Sequence, residues 1–534
     1  MKIFVALNLL LLLLLSCVQS AKILVLVGTA AHQHPSWTQT LLTALTARGH
    51  VLTTVSTAPE LHMANVQHIQ LQNDYDVLKK HYVNSEGQYR QYWNIKQLMI
   101  YYESLLGSCR ALQELNELSK LQQQLKGPYD LIVYDASYAL DCLLHLLPNF
   151  AKLPKLGLSG GKLSTDLLAL MGAEDTVSAA KIPHFISDLP EQLSYWQRIK
   201  NHCMYLTERF LKVSIVLPVL QGMRNGEVNV PSTQLVLLNT HPVLDYVQNM
   251  PPNIIEIGGL HIREEATTLP EGLQSFVNGC TEGIIYINLP WLQLMHAEGH
   301  NAVKHTIREF QQYCFIWNAK NIKTEHLSNL RVVEQEDSMQ QDILSQTNVK
   351  AFLTHGDSFG LQEAVFNAVP VIVLPVLMDQ LNNAKRIEER YLGLRVSLDN
   401  FGQNAFSEPL RRLMREDIFD KVLHQARINF RTRQTKPVDQ AVWYAEQLIA
   451  EPSLYKHLAQ PTLNDSSYFV RHSLDVLILP VVFMIAIIVN VIFFVLQIMN
   501  DSKLRKEREK KQKLKQIEKL RNKDKDKKSP AKKE

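Results

Sequence analysis

Cysteine is scarce in this chain: six residues in 534, none of them in a Cys-x-x-Cys pair. No histidines stand at metal-ligand spacing either, so the sequence implies neither a structural zinc module nor a disulfide framework. Once the N-terminal leader described below is set aside, Cys109, Cys142, Cys203, Cys280 and Cys314 remain, an odd number that leaves at least one thiol free. A Gly-x-Gly-x-x-Gly fingerprint is missing, which argues against a dinucleotide-dependent oxidoreductase, and a phosphatase has no metal cluster or catalytic cysteine to work with. Internal repeats are absent, and low complexity is confined to the C-terminal tail.

Long apolar runs are few, and each has a reading. Met1 to Ser20 combines one Lys, a Leu-rich stretch from Ile3 to Leu15 and small residues before Ala21, which is the pattern of a cleavable secretory leader. Val476 to Met499 carries no charge and has only Asn490 and Gln497 as strongly polar members; as a helix it crosses about 30 Å of hydrocarbon. From Asp501 to Glu534 there are 16 Lys and Arg against 7 Asp and Glu, a net +9, which leaves −5 on the rest of a chain whose total is +4. The positive-inside bias places this tail in the cytosol and the body in the lumen. The tail's basic residues are expected to set orientation and touch anionic membrane lipid, with no nucleic-acid role. A lipid-anchor signal would end in the apolar run, not in lysines. Two glycosylation sequons occur, and only Asn464, in Asn464-Asp465-Ser466, falls on the lumenal side.

A body of this length with 46% apolar residues divides into two cores, because a single core stops growing near about 250–300 residues. Ile23 to Val27 is an uninterrupted apolar run of strand length. Helical spacing of Leu41, Leu42 and Leu45 follows, then Arg48-Gly49-His50 and the strand-like Val51 to Val55, which together make a βαβ unit. Leu131 to Tyr134 repeats the buried-strand pattern and delivers Asp135 to its carboxyl end. The stretch from His68 to Lys126 reads as mostly polar helix. After Gly258-Gly259-Leu260-His261, further strands at Gly283 to Leu289, Phe315 to Trp317, Ala351 to Leu353 and Val371 to Leu374 alternate with helix-like segments. The expected fold class is therefore α/β, two doubly wound domains with their ligands between facing carboxyl ends, plus one C-terminal transmembrane helix. The expected segments are a leader at 1–20, a first domain at 21–260, a second at 270–445, a connector at 446–473, the membrane helix at 474–499 and the basic tail at 500–534.

Between Ala351 and Ala384 the chain reads AFLTHGDSFGLQEAVFNAVPVIVLPVLMDQLNNA. This resembles the signature segment of UDP-glycosyltransferases, and Arg48-Gly49-His50, Ser194-Tyr195-Trp196-Gln197-Arg198, Asn239-Thr240-His241, Gly258-Gly259-Leu260-His261 and the span with its basic tail extend the likeness, closest to invertebrate members. The resemblance implies two facing Rossmann-like lobes, the glycosyltransferase B-type fold, with the acceptor on the first and the UDP-sugar on the second. It implies donor-binding roles for His355, Gly356, Ser358 and Gly360 at the diphosphate, Glu363 and Gln340 at the nucleoside, and Asp379 with Gln380 at the sugar. A helix starting near Ser358 would aim amides and its positive end at phosphate oxygens, and a carboxylate suits paired hydroxyls.

The same resemblance implies a general-base histidine in the loop after the first strand. His32 and His34 are both present; counting back sixteen positions from His50, as the family spacing does, selects His34, with Asp135 as the carboxylate that orients it. The expected reaction moves a hexose from a UDP-sugar co-substrate to a small lipophilic acceptor with inversion, without a metal or other cofactor, in the endoplasmic reticulum membrane. Lys532 and Lys533 resemble a retrieval dilysine shifted by one position.

Three departures fall on the nucleotide. Asp357 replaces the second glycine of His-Gly-Gly, Pro290-Trp291 replaces Gly-Ser, and Asp337-Ser338-Met339 stands where the family has a uracil-stacking Trp-x-Pro before Gln340. Asp357 either repels the diphosphate or turns away to cap the helix. An alternative therefore stays open: a catalytically weak or inactive member that acts as a membrane-bound binding protein, or as a partner in homo- or hetero-oligomers with relatives.

Overall fold

The computed structural model describes residues 20–27, 35–56, 63–71, 94–114, 117–125, 127–136, 144, 147, 150, 152–173, 178–223, 233–290, 292, 297–319, 327–334, 339–398, 401–453, 455, 458, 470 and 474–527. Residues 1–19 of the expected leader, His32, His34, Trp291, Asp337 and Asn464 lie outside these residues.

Apolar runs become central strands. The first sheet is built from β1 (Lys22–Val27), β2 (Val51–Ser56), β3 (Val66–Gln70), β4 (Leu131–Asp135), β5 (Lys155–Ser159), β6 (Leu235–Leu238) and β7 (Ile254–Glu256), in the order β3-β2-β1-β4-β5-β6-β7. The second is built from β8 (Ile284–Asn288), β9 (Cys314–Asn318), β10 (Leu330–Val333), β11 (Val349–Thr354), β12 (Val371–Val373) and β13 (Gly393–Arg395), ordered β10-β9-β8-β11-β12-β13. Every pairing is parallel. In both sheets the strand order reverses beside the first strand, between β1 and β4 and between β8 and β11, and such switch points open a crevice at the strands' carboxyl ends.

Helices cover both faces of each sheet. Leu41, Leu42 and Leu45 of the helix Pro35–Ala47 pack with Ile23, Val25 and Leu131 in one apolar cluster. The helix Asn94–Glu114 buries Leu98, Tyr101, Tyr102, Leu105 and Leu106 on the opposite face. This corrects the reading of 68–126 as mostly polar helix: the stretch opens within an edge strand, and its long helix hides an apolar stripe among polar neighbours. Tyr134 is core as well, its hydroxyl 2.6 Å from Thr233 Oγ1.

One helix lies across the expected boundary at residue 445. The helix Pro437–Ala450 leaves the second lobe and packs through Ala441, Val442, Ala445 and Leu448 against the helix Pro35–Ala47, β4 and β5 of the first. A second correction concerns the cysteines: Cys280 and Cys314 form a disulfide across 34 residues with Cα atoms 5.8 Å apart, Cys109 is disulfide-bonded too, and Cys203 is free and exposed.

Residues 461–534 form a unit of their own. Its helix, Leu474–Lys527, runs through the apolar stretch and on into the basic tail, and among the described residues it is the one helix long and apolar enough to cross a membrane.

Candidate active site

β11 ends in a buried Thr354, and two residues suffice to turn the chain into the next helix. Gly356 makes that turn at φ +85°, and a Cβ there would sit 2.4 Å from Val373 Cγ1, so both the backbone and the space demand glycine. Asp357 then caps the helix Ser358–Asn367, its Oδ1 accepting the Gly360 amide at 2.8 Å. One of the helix's N-terminal amides is thus already bonded to a carboxylate. His355 is buried, and its Nδ1–H donates to the Leu374 carbonyl at 2.9 Å. Burial pushes its imidazole down to about 4, against the pull of the Leu374 and Leu289 carbonyls, so it is neutral near pH 7 and offers hydrogen bonds, not charge.

Behind this turn lies a polar chain. Asn318 Nδ2 donates to Asn288 Oδ1 at 3.3 Å, Asn288 Nδ2 to Gln340 Oε1 at 2.7 Å, and Gln340 Nε2 to Glu363 Oε2 at 2.7 Å. Glu363 Oε1 is 3.8 Å from Nε2 of His261, which itself donates to the Phe359 carbonyl at 3.2 Å. Pro290, exposed, stands two residues past the end of β8.

On the other side, Asp379 is half-buried and accepts from Asn383 Nδ2 at 3.1 Å and from the Ser358 hydroxyl at 3.3 Å. Burial raises its carboxyl above the usual range; Lys162 opposes the rise and Asp357 adds to it. Gln380 accepts the Val376 and Leu377 amides on Oε1 at 2.9 and 3.1 Å, so its amide N–H groups are what it can offer a ligand. His355, Gly356, Ser358, Gly360, Glu363, Gln340, Asp379 and Gln380 are therefore gathered around the carboxyl ends of β8, β11 and β12. Asp135 stands apart from them, buried at the end of β4 in the first lobe.

Several residues that close the cleft carried no sequence signal. Gln362, next to Glu363, is buried and bridges the lobes: Oε1 accepts the Gly259 amide at 2.6 Å and Nε2 donates to the Asn239 carbonyl at 2.9 Å. Phe359 enters the first lobe's core, its ring 6.2 Å from that of Trp37. Arg386 donates to the Leu244 and Asp245 carbonyls, both at 2.7 Å, and its guanidinium lies 3.7 Å from the centre of the Tyr246 ring. Lys162, from the loop after β5, pairs with Asp245 and lines the cleft with Ser358, Asn383 and Arg386.

The sequence profile of the family described as "UDP-glucoronosyl and UDP-glucosyl transferase" matches residues 21–513. The chain belongs to this family, whose members are enzymes that transfer a sugar from a UDP-sugar. The relatives of this glycosyltransferase include a UDP-glycosyltransferase of Dactylopius coccus, 26% identical over 74% of each chain. Another is a UDP-glucuronosyltransferase of Rattus norvegicus, 25% identical over 74% of this chain and 73% of its own length. Among solved structures, the UDP-glucosyltransferase from Polygonum tinctorium capable of glucosylating indoxyl covers 80% of this chain and 99% of its own at 16% identity, with a TM-score of 0.53. The glycosyltransferase shares that enzyme's fold, two parallel-sheet α/β domains of the B-type.

Proposed function

We propose that this glycosyltransferase moves a hexose, glucose or glucuronic acid, from its UDP-sugar to a hydroxyl of a small lipophilic acceptor with inversion. The observation that carries the catalytic half is a strand register. β1 pairs with β4 so that Leu26 lies beside Tyr134, and the chain leaving β1 toward His34 therefore starts next to Asp135. In this reading His34 takes the acceptor's proton as its oxygen forms the new bond to the anomeric carbon, the bond from that carbon to the β-phosphate oxygen breaks, and UDP leaves with the electron pair. Asp135 holds the imidazole and stabilises the imidazolium. His355, Gly356, Ser358 and Gly360 take the diphosphate, Gln340 and Glu363 the nucleoside, and Asp379 with Gln380 the sugar; no metal is invoked. Relatives named as glucuronosyl- and glucosyltransferases support either hexose. The body is assigned to the lumen of the endoplasmic reticulum, with Asn464 as its glycan acceptor and the basic tail in the cytosol.

Asp357 favours a second reading, an inactive member that binds ligands or partners with relatives. A carboxylate about 4 Å from a phosphate charge costs about 4 kcal/mol at an effective dielectric near 20, roughly a thousandfold in affinity. UDP titration of the full chain in detergent, beside Asp357→Asn and Asp357→Gly, separates the two. Micromolar binding by the natural chain supports the transferase, with Asp357 serving as a tolerated cap. Binding that emerges only in the variants means that the diphosphate site is switched off and the partner reading holds.

A further inference from the structure

Lys162 stands outside the signature segment, in the short loop 160–164 that joins β5 to the helix Thr165–Leu170. That loop lies on the start of the donor-side helix Ser358–Asn367: a Cβ on Gly160 would sit 2.9 Å from Phe359 Cζ, so glycine permits the approach. Lys162 is 11% exposed in its side chain, and its ammonium donates to Oδ1 of Asp245, whose Oδ2 holds the His241 amide at 2.9 Å. Among the described residues Asp245 is its one hydrogen-bond partner, so two of its three N–H donors remain for a ligand. The same side chain lines a cavity with Ser358, Asn383, Arg386 and Arg390. Both arginines are committed there, Arg386 to the Leu244 and Asp245 carbonyls, Arg390 to those of Pro242 and Val243, and both to Glu191. Lys162 instead carries its charge on a flexible stem and can change partners. Its charge also reaches Asp379, where it opposes the effect of Asp357.

We propose that Lys162 is a donor-binding residue supplied by the first lobe, and that its ammonium turns from Asp245 to the β-phosphate when a UDP-sugar enters. The inference rests on the donor assignment above, in which Ser358 takes the diphosphate and Asp379 the sugar. Lys162 shares the cavity of the first and acts on the charge of the second, and the group that joins diphosphate to sugar is the β-phosphate. Hydrogen bonds from an ammonium to phosphate oxygens are charge-assisted and strong, and these would cross the cleft, so the first lobe helps to hold a ligand seated on the second. As the anomeric bond breaks, negative charge builds on that phosphate, where the same cation stabilises it. Lys162 thereby offsets the carboxylate that Asp357 brings to the donor site.

Titration of the full chain in detergent with uridine, UMP, UDP and UDP-glucuronate tests this. Lys162→Met should weaken UDP about 10- to 100-fold, the worth of a hydrogen bond to a charged group, while uridine and UMP keep their affinities. Lys162→Arg should recover part of the loss. Asp245→Asn should move UDP the other way, tightening it about three- to tenfold, because the ammonium is released; a merely structural ion pair would not give opposite signs. Should Lys162→Met fold poorly around an unpaired Asp245, Lys162→Met with Asp245→Asn restores the charge balance and should bind UDP more weakly than Asp245→Asn alone. Micromolar UDP binding that Lys162→Met leaves unchanged removes Lys162 from a donor site that still stands. Equal weakening of UDP and UMP, or a loss confined to UDP-glucuronate, overturns the assignment to the β-phosphate. A natural chain that binds none of the four ligands fails the donor assignment itself, and this inference with it.

Discussion

The two lobes are built alike and finished differently. The second lobe completes its strand ends from within: Gly356 makes the turn, Asp357 caps the helix, Gln380 binds the loop amides, and a disulfide joins the segment before β8 to β9. The first lobe is completed by the second, which sends it the Phe359 ring, the Gln362 amide and the whole helix Pro437–Ala450. The second lobe's strand ends are finished mainly by its own residues, with Gln97 taking the Met378 amide and Ser187 the Asn382 side chain, whereas the first lobe's core depends on its neighbour.

Breaking that dependence should have the largest effect. Phe359→Ala should cost about 3–5 kcal/mol, because the ring is buried against Trp37 and His261. Hydrogen exchange should show β1, β4 and β5 losing more protection than β8 and β11, and equal loss in both sheets would refute the asymmetry. Removing the disulfide with Cys280→Ser and Cys314→Ser should cost about 3 kcal/mol and loosen the second lobe alone, read as thermal unfolding with lobe-resolved exchange. Gln362→Leu, which deletes both hydrogen bonds across the lobes, should cost about 2 kcal/mol in denaturant midpoint; the Gly259 amide keeps the Asn239 side-chain oxygen at 3.1 Å.

Acid should act less strongly, and on both sides. Burial pushes the His355 and His241 imidazoles from 6.5 down to about 4, with Arg433 also lowering His241. The folded state favours the neutral ring, so its contribution is complete above about pH 6.5 and is lost as pH falls toward 4. Glu256 and Asp379, raised chiefly by burial, shift stability the other way, contributing most when protonated and losing that contribution as pH rises above the usual carboxylate range. The difference between the natural chain and His355→Asn in unfolding free energy against pH should therefore amount to on the order of 2 kcal/mol between those limits and vanish at neutral pH apart from a constant offset.

Legibility in the sequence followed burial. Strands covered on both faces, such as ILVLV, LIVYD and GIIYINL, are continuous apolar runs and stand out. The edge strands β3 (VQHIQ) and β10 (LRVV) are only half covered and mix polar with apolar residues, so no run marks them. The turn between β11 and the following helix was readable from a few residues at short spacing, although whether Asp357 caps that helix stayed open until its Oδ1 was seen on the Gly360 amide. Gln362 was not, since its partners lie 103 and 123 residues away in sequence. The Cys280–Cys314 bond was equally invisible: it arises from the side-by-side placement of β8 and β9, not from a spacing rule. For the helix Pro437–Ala450 the amphipathic pattern shows a buried face but not which sheet receives it.

That returning helix also governs how the body can move. The chain passes between the lobes twice, once through Leu260–Leu269 and again through the residues just before Pro437. Two crossings, with the Phe359 ring and the Gln362 amide between them, hold the lobes at more than one point, so drawing them apart means pulling an aromatic side chain out of the first lobe's core and breaking two hydrogen bonds. Severing the strap before Pro437 would leave the first lobe's core dependent on a helix no longer joined by the chain to the second lobe, so the mutual placement of the lobes would rest on noncovalent contacts and the remaining strap.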